Sequence, residues 1–334
     1  METSSMDHQA WLDLTKEDPI DADLPIIDPH HHLWDYPTSR YLLGEVLADT
    51  DSGHHVVQTV FIECLSMYRA DGPPEMRPVG ETEFVNVIAE ASLEGATQVA
   101  AGIVGFADLT LGEAVAPVLA AHIAAGGGRF RGIRHAASWH ESDAINNAHT
   151  HPPKGLLLDA RFRQGFTQLH KHDLSFDAWL YHPQLGELAD LARAFPQTPL
   201  ILDHVGTPLG IGPYAGKREA VFQEWRRGID EVAACDNVAV KLGGLGMKVC
   251  GFGWHQGDKP PGSADLAAAM GPYLLYCIER FGVERCMFES NFPVDKPSCS
   301  YVVLWNAFKR LTEKFSAHER RALFHDTAAK VYGL

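Results

Sequence analysis

Eight short apolar runs, separated by stretches of helical periodicity, constrain the fold of this chain more than any other feature. The runs are Pro25–Asp28, Val57–Cys64, Val99–Phe106, Gly132–Ala137, Leu174–Tyr181, Pro199–Asp203, Val238–Leu242 and Cys286–Glu289. Most are apolar nearly throughout, the pattern of strands buried on both faces of a parallel sheet. Between them, Glu83–Leu93, Leu111–Ala125, Ala160–His172, Leu185–Ala194, Arg218–Ala234, Ala264–Phe281 and Tyr301–Phe315 place apolar residues at helical spacing. A last helix, Ala317–Tyr332, is expected to close the chain, with Ser316 as its N-cap. The first crossover, Asp35–His55, has no clear helical period. Eight alternations of strand and helix predict an α/β fold, a single-domain (β/α)8 TIM barrel over residues 24–334, after an N-terminal extension of residues 1–23. A doubly wound open sheet is the alternative.

Composition narrows the function classes. A net charge of −15 carries no basic footprint for nucleic acid. The six cysteines form no C-x-x-C pair, so reduced thiols are expected rather than a thiolate zinc site. The acidic N-terminus lacks the apolar core of a secretory signal, and no apolar run reaches the roughly 18 residues of a membrane span. A cytoplasmic protein acting on a small molecule is expected, without membrane or nucleic-acid partners and open to assembly as a homo-oligomer.

Polar, Gly/Pro-rich connections follow the second strand (Ser66–Glu81), the fourth (Ser138–Leu158) and the seventh (Gly243–Asp265). All leave strand C-termini, the face on which barrel enzymes build their sites. The residues that carry chemistry fall on the same face. In Asp28-Pro29-His30-His31-His32, alternation puts His30 and His32 on one side, where two imidazoles can chelate a metal or flank a carbonyl. Tyr181-His182-Pro183-Gln184 leaves the fifth strand, and Asp203-His204 the sixth. Arg134 lies in the fourth strand, where an unpaired cation would be costly, so it either clamps a substrate carboxylate or carbonyl or pairs with a barrel carboxylate. Trp139 and His140 follow it as candidate substrate contacts with Tyr181 and Gln184. At the eighth strand, Glu289 and Asn291 share a face and Asp295 lies beyond; Glu63 is a further carboxylate at the second strand's end.

These segments, D-P-H-H-H-L-W, R-G-I-R-H, W-L-Y-H-P-Q-L, L-D-H-V-G, V-K-L-G-G-L and E-S-N-F-P-V-D, resemble in order the amidohydrolase-2 group of the amidohydrolase superfamily. More narrowly, they resemble the branch holding 2-pyrone-4,6-dicarboxylate lactonase and the sugar-lactone hydrolases. The resemblance spans Leu24 to Leu334 and implies attack of water on the carbonyl of a small lactone, with or without a carboxylate. It implies histidines of strands 1, 5 and 6 around the carbonyl or one divalent metal (zinc or manganese), although metal-independent catalysis is also known on this scaffold. By position His30 and His32 would be the metal pair, His182 and His204 catalytic, and Arg134 the substrate arginine. One position departs from the pattern: the usual strand-8 aspartate is Asn291, which cannot titrate. That leaves Asp295, Glu289, Glu63 or a histidine as the base, with Asn291 orienting the water. Glu289-Ser290 also resembles the metal-dependent decarboxylases, so decarboxylation of an aromatic acid is a second reading, and a barrel that binds without catalysis a third.

Overall fold

In the computed structural model, residues 8–334 are described. Eight strands pair in parallel in sequence order: β1 Ile26–His31, β2 Val56–Ile62, β3 Gln98–Gly105, β4 Phe130–Arg134, β5 Ser175–Ala178, β6 Leu200–Leu202, β7 Val238–Leu242 and β8 Cys286–Phe288. The ring closes just past β8, where His31 pairs with Phe292, the His32 N–H donates to Phe292 O and the Asn291 N–H donates to His30 O. The helices are α1 Leu43–Thr50, α2 Val79–Ala91, α3 Ala116–Ala125, α4 Ala160–Lys171, α5 Leu185–Ala194, α6 Arg218–Ala233, α7 Ser263–Phe281 and α8 Tyr301–Leu311. Strand and helix alternate throughout, so the architecture is the (β/α)8 barrel.

Three local features lie outside the regular alternation. The unpatterned first crossover is a short hairpin, Trp34–Tyr36 with Ser39–Tyr41, followed by α1. The expected final helix is broken into Ala317–Arg321, a π-turn at Ala322–Asp326 and Thr327–Tyr332. Its N-cap is Ser316, whose hydroxyl accepts the Glu319 N–H while the Glu319 carboxylate accepts the Ser316 N–H. The described part of the N-terminal extension lies against the barrel: the Trp11 indole donates to Gly257 O, Thr15 Oγ1 to Pro260 O, and Glu17 accepts from the Ser263 N–H and Asn306. No helix among the described residues is long and apolar enough to cross a membrane.

Strand alternation sorts the barrel interior from the jacket. Ile27, Val60, Ile62, Val104, Ile201, Ala239 and Met287 fill the lower interior, where Ala328 and Tyr332 of the last helix plug the base. The outward set, including Phe61, Ile103, Phe176, Leu200, Leu202, Val240 and Phe288, packs under the helices. One step nearer the strand C-termini the inward positions turn polar: Asp177 on β5, Asp203 after β6 and Lys241 on β7, all fully buried. That change from apolar to charged marks the floor of the site.

Candidate active site

Above the apolar plug, Lys241 Nζ donates to Asp177 Oδ2 (2.6 Å), lies 3.0 Å from Asp203 Oδ1 and sits 3.2 Å from His30 Nδ1. The Tyr332 hydroxyl donates to the same Asp177 oxygen (2.7 Å), tying this charge cluster to the last helix. Burial raises the Asp177 carboxyl to about 6 against the pull of Lys241. Burial opposes ionisation of Asp203 as well, but Lys241 and His30 outweigh it and hold that carboxyl well below the usual aspartate range. Arg134 is also committed within the protein. Its Nε donates to Glu63 Oε1 (2.7 Å), one terminal nitrogen donates to Glu63 O (2.5 Å), and the other is 3.4 Å from His30 Nε2. His149 Nε2 meets the other Glu63 oxygen at 2.9 Å. Arg134 is thus paired with a barrel carboxylate while its side chain also lines the cavity.

Glu289, entirely buried just beyond β8, joins two histidines. Its Oε1 accepts from the His204 N–H (3.1 Å) and lies 2.7 Å from His204 Nδ1; its Oε2 is 2.9 Å from His30 Nδ1. Burial opposes the ionised form, but the two imidazoles outweigh it and keep the Glu289 carboxyl below the ordinary glutamate range. With Nδ1 of His204 facing this carboxylate, its Nε2 is the nitrogen left to act on a ligand. His32 is oriented comparably: Nδ1 donates to Ile62 O (2.8 Å), and burial, with His30 and Arg134 beside it, drives its pKa far down, so the ring is neutral with a free Nε2. His204 and Asn291 both adopt left-handed backbone (φ 55 and 55), a costly conformation that persists at sites where surrounding structure fixes it. Gly244 explains how His204 is accommodated, since a β-carbon there would stand 2.4 Å from its ring.

A cavity of about 270 Å³ opens over this floor. His32, Arg134, His149, His204 and Asn291 form its polar part; Trp34, Tyr36, Leu65, Trp179, Met247 and Val294 form its walls. Asn291 Nδ2 donates to Asp295 Oδ1 (2.9 Å), while Asn291 Oδ1 has no partner. Asp295 lies behind it, takes the Gly246 N–H on its other oxygen (2.8 Å) and is raised by burial to about 7. Asp295 therefore holds Asn291 and does not line the cavity.

The expected residues separate into those the structure gathers and those it does not. His30, His32, His204, Arg134 and Asn291 meet at the cavity or directly beneath it. His182 does not join them: its Nδ1 accepts the Leu209 N–H (3.2 Å), its ring packs edge-on to Tyr214, and Nε2 is 3.9 Å from Glu224. His182 opens a short 3-10 segment beyond the strand end, and its ring faces Tyr214 and Glu224 of a neighbouring cleft. His140 is in that cleft, with Nε2 3.2 Å from the Tyr214 hydroxyl. Gln184 takes the Trp139 and Tyr181 N–H groups and donates to Ala137 O, so it staples the loops after β4 and β5. The Tyr181 hydroxyl donates to Asn146 O. None of Trp139, His140, Tyr181 or Gln184 lines the cavity. Asp203 stands beside His204 in the sequence motif, whereas Lys241 and Asp177 have no role in the sequence reading, although a charge inside an apolar strand is the same signal that marks Arg134.

The grouping of metal-type donors also differs from the expected His30/His32 pair. His30, His204 and Glu289 each bring one ligand atom within 4.8 Å of the others. Two imidazoles and a carboxylate are a donor set suited to zinc. The surroundings fit as well: two cations, Lys241 and Arg134, face four buried carboxylates, Glu63, Asp177, Asp203 and Glu289, and Glu289 Oε2 and both Asp203 oxygens lack a directional hydrogen bond.

Comparison with known proteins agrees with this architecture. A family described as amidohydrolase matches residues 27–334. The uncharacterised protein y4mH of Sinorhizobium fredii is 34% identical, over 93% of this chain and 99% of its own. An L-fucono-1,5-lactonase of Burkholderia multivorans is 28% identical, over 92% of this chain and 96% of its own. A crystal structure of a Burkholderia multivorans amidohydrolase with bound zinc superposes with a TM-score of 0.70 at 25% identity, covering 92% of this chain and 99% of that one. Matched over nearly its whole length and carrying a histidine-carboxylate site at the mouth of the barrel, the chain belongs to the amidohydrolase family.

Proposed function

We propose that this protein is a lactonase: a hydrolase that opens a small, uncharged lactone by attack of water on its carbonyl. The observation that carries the proposal is the Glu289–His204 pair at the cavity floor, with the unpartnered Asn291 Oδ1 among the same lining residues. Its support from relatives is the L-fucono-1,5-lactonase similarity.

In this reading Asn291 Oδ1 accepts a hydrogen bond from the attacking water, and Asp295 fixes the amide so that its oxygen faces that water. His204 Nε2 takes the water proton as the bond to the carbonyl carbon forms. Glu289 holds the proton on Nδ1 and stabilises the imidazolium, the arrangement by which a buried carboxylate makes histidine an effective base. The same Nε2 then returns its proton to the ring oxygen as the C–O bond breaks, leaving a hydroxy acid. Arg134, the one Arg or Lys side chain lining the cavity among the described residues, is fixed by Glu63 and draws on the carbonyl oxygen. A divalent ion held by His30, His204 and Glu289 would replace this relay, because His204 and Glu289 could not ligate it and share the Nδ1 proton together, and would instead supply Lewis-acid polarisation of a carbonyl or water.

The substrate is assigned as uncharged because the guanidinium expected to clamp a carboxylate already has one in Glu63, and Asp203 lies 3.7 Å from it. The test is hydrolysis of δ-lactones in 18O-labelled water, read by mass spectrometry. One heavy oxygen in the product carboxylate is expected. Absence of turnover across lactones overturns the proposal, and carbon dioxide release from aromatic acids would replace it with the decarboxylase reading.

A further inference from the structure

The polar groups in the outer walls of the cavity are already used within the protein. The Trp34 indole donates to Ser39 Oγ (3.0 Å), and the Tyr36 hydroxyl donates to Cys64 O (3.0 Å). What remains toward the entrance is apolar surface: the faces of those two rings with Leu65, Met247 and Val294. Tyr36, Leu65 and Val294 are nevertheless 41%, 42% and 36% exposed, and Met67, two residues beyond Leu65, is 41% exposed. A contiguous exposed apolar surface around a cavity marks a place where something apolar binds.

The backbone adds a second observation. Leu65 and Met67 both have positive φ (63 and 55), although a branched or long side chain gains nothing from the left-handed region. Their loop is fixed in place by Glu81, whose Oε1 accepts the N–H groups of Cys64 (3.0 Å) and Ser66 (2.7 Å). Strain held at a cavity rim by a dedicated buried carboxylate is the behaviour of a ligand-contacting loop. A polyhydroxylated substituent at the entrance would need unspent donors and acceptors there, and an anionic one a free cation; Trp34, Tyr36, Leu65, Met247 and Val294 supply neither, and the unpartnered wall donor Trp179 Nε1 is buried.

We infer that the cavity binds a lactone ring carrying an apolar alkyl or aryl substituent, with the ring carbonyl at His204 and the substituent lying between Trp34, Tyr36, Leu65, Met247 and Val294. This assignment rests on the lactonase reading for its ring and on the rim alone for its substituent. An alkyl chain buried there gains about threefold to fourfold in affinity per methylene.

The experiment measures binding of unreactive δ-lactams by tryptophan fluorescence, since Trp34 and Trp179 line the cavity. The series is the unsubstituted lactam, its 6-propyl and 6-pentyl derivatives, and a polyhydroxylated lactam of the sugar type. Affinity is expected to rise steeply with chain length, and the pentyl compound to bind at least tenfold tighter than the polyhydroxylated one. A polyhydroxylated lactam that binds as tightly as the pentyl compound overturns the inference. Because no turnover is needed, chain-length dependence without any lactone hydrolysis would sink the lactonase reading and leave the apolar rim standing. Leu65→Asn and Val294→Asn supply the internal control. Asparagine accepts left-handed backbone readily, so Leu65→Asn changes polarity without adding strain. Both variants are expected to flatten the dependence on chain length; an undiminished slope in both overturns the placement of the substituent.

Discussion

Glu289→Gln is the sharpest chemical perturbation available. The carboxylate meets His204 Nδ1 at 2.7 Å and His30 Nδ1 at 2.9 Å, so an amide must present its NH2 to one of the two rings. It also removes the negative charge that faces the imidazolium when His204 holds the water proton. At about 4 Å between charge centres and an effective dielectric constant of about 20, that attraction is worth about 4 kcal/mol. A loss of this size in the transition state alone corresponds to roughly a thousandfold in rate. Glu289 does not line the cavity, so kcat should fall about 10³-fold while KM stays within a few-fold. The assay is initial-rate proton release from a δ-lactone, with thermal melting to confirm folding. A folded variant that loses less than tenfold in kcat refutes the role given to the Glu289–His204 pair.

Other perturbations test the supporting structure. In Gly244→Ala the new β-carbon would stand 2.4 Å from the His204 ring at a backbone φ of +69, so the ring must move; activity should fall about 100-fold, as checked by kcat/KM. Asp295 has a folded-state pKa of about 7, above its unfolded value, so the folded protein binds the extra proton. Wild-type stability contributed by this group is therefore full below about pH 4 and lost as pH rises toward 7. Melting temperatures of Asp295→Asn relative to wild type should accordingly rise across that window; a constant difference would contradict the assignment. Lys241→Met strands Asp177 and Asp203 without their cation and should destabilise by about 3–5 kcal/mol in urea unfolding.

Much of the barrel was legible because strands buried on both faces must be apolar along their length, and such runs stand out between helical periods. Boundaries were less so. β1 continues to His31, since the backbone of His31 and His32 pairs with Phe292, a contact made by residues distant in sequence. The π-turn at Ala322–Asp326 leaves helical spacing nearly intact and so gives no sequence signal. In the site, strand alternation places His30 and His32 side by side, with ring centroids 5.0 Å apart, and His204 lies at the end of the sixth strand. His182 looked equivalent in sequence but stands farther past its strand end than His204 does, and its ring is taken up by the Leu209 N–H and Tyr214. Lys241 and Asp177 were readable in principle as charges in buried strands; their pairing was not, because it depends on the lateral order of β5 and β7 across the barrel. The exchange of roles at the eighth strand, with Asn291 facing the cavity and Asp295 behind it, follows from the left-handed turn at Asn291.

The central claim is that His204 Nε2 carries the water proton. Its most direct measurement is kcat for δ-lactone hydrolysis by His204→Gln beside wild type, in protein of verified fold and equal metal content. The account predicts a fall of at least about 10³-fold. A variant that turns over at the wild-type rate would contradict it and move the base elsewhere in the cavity.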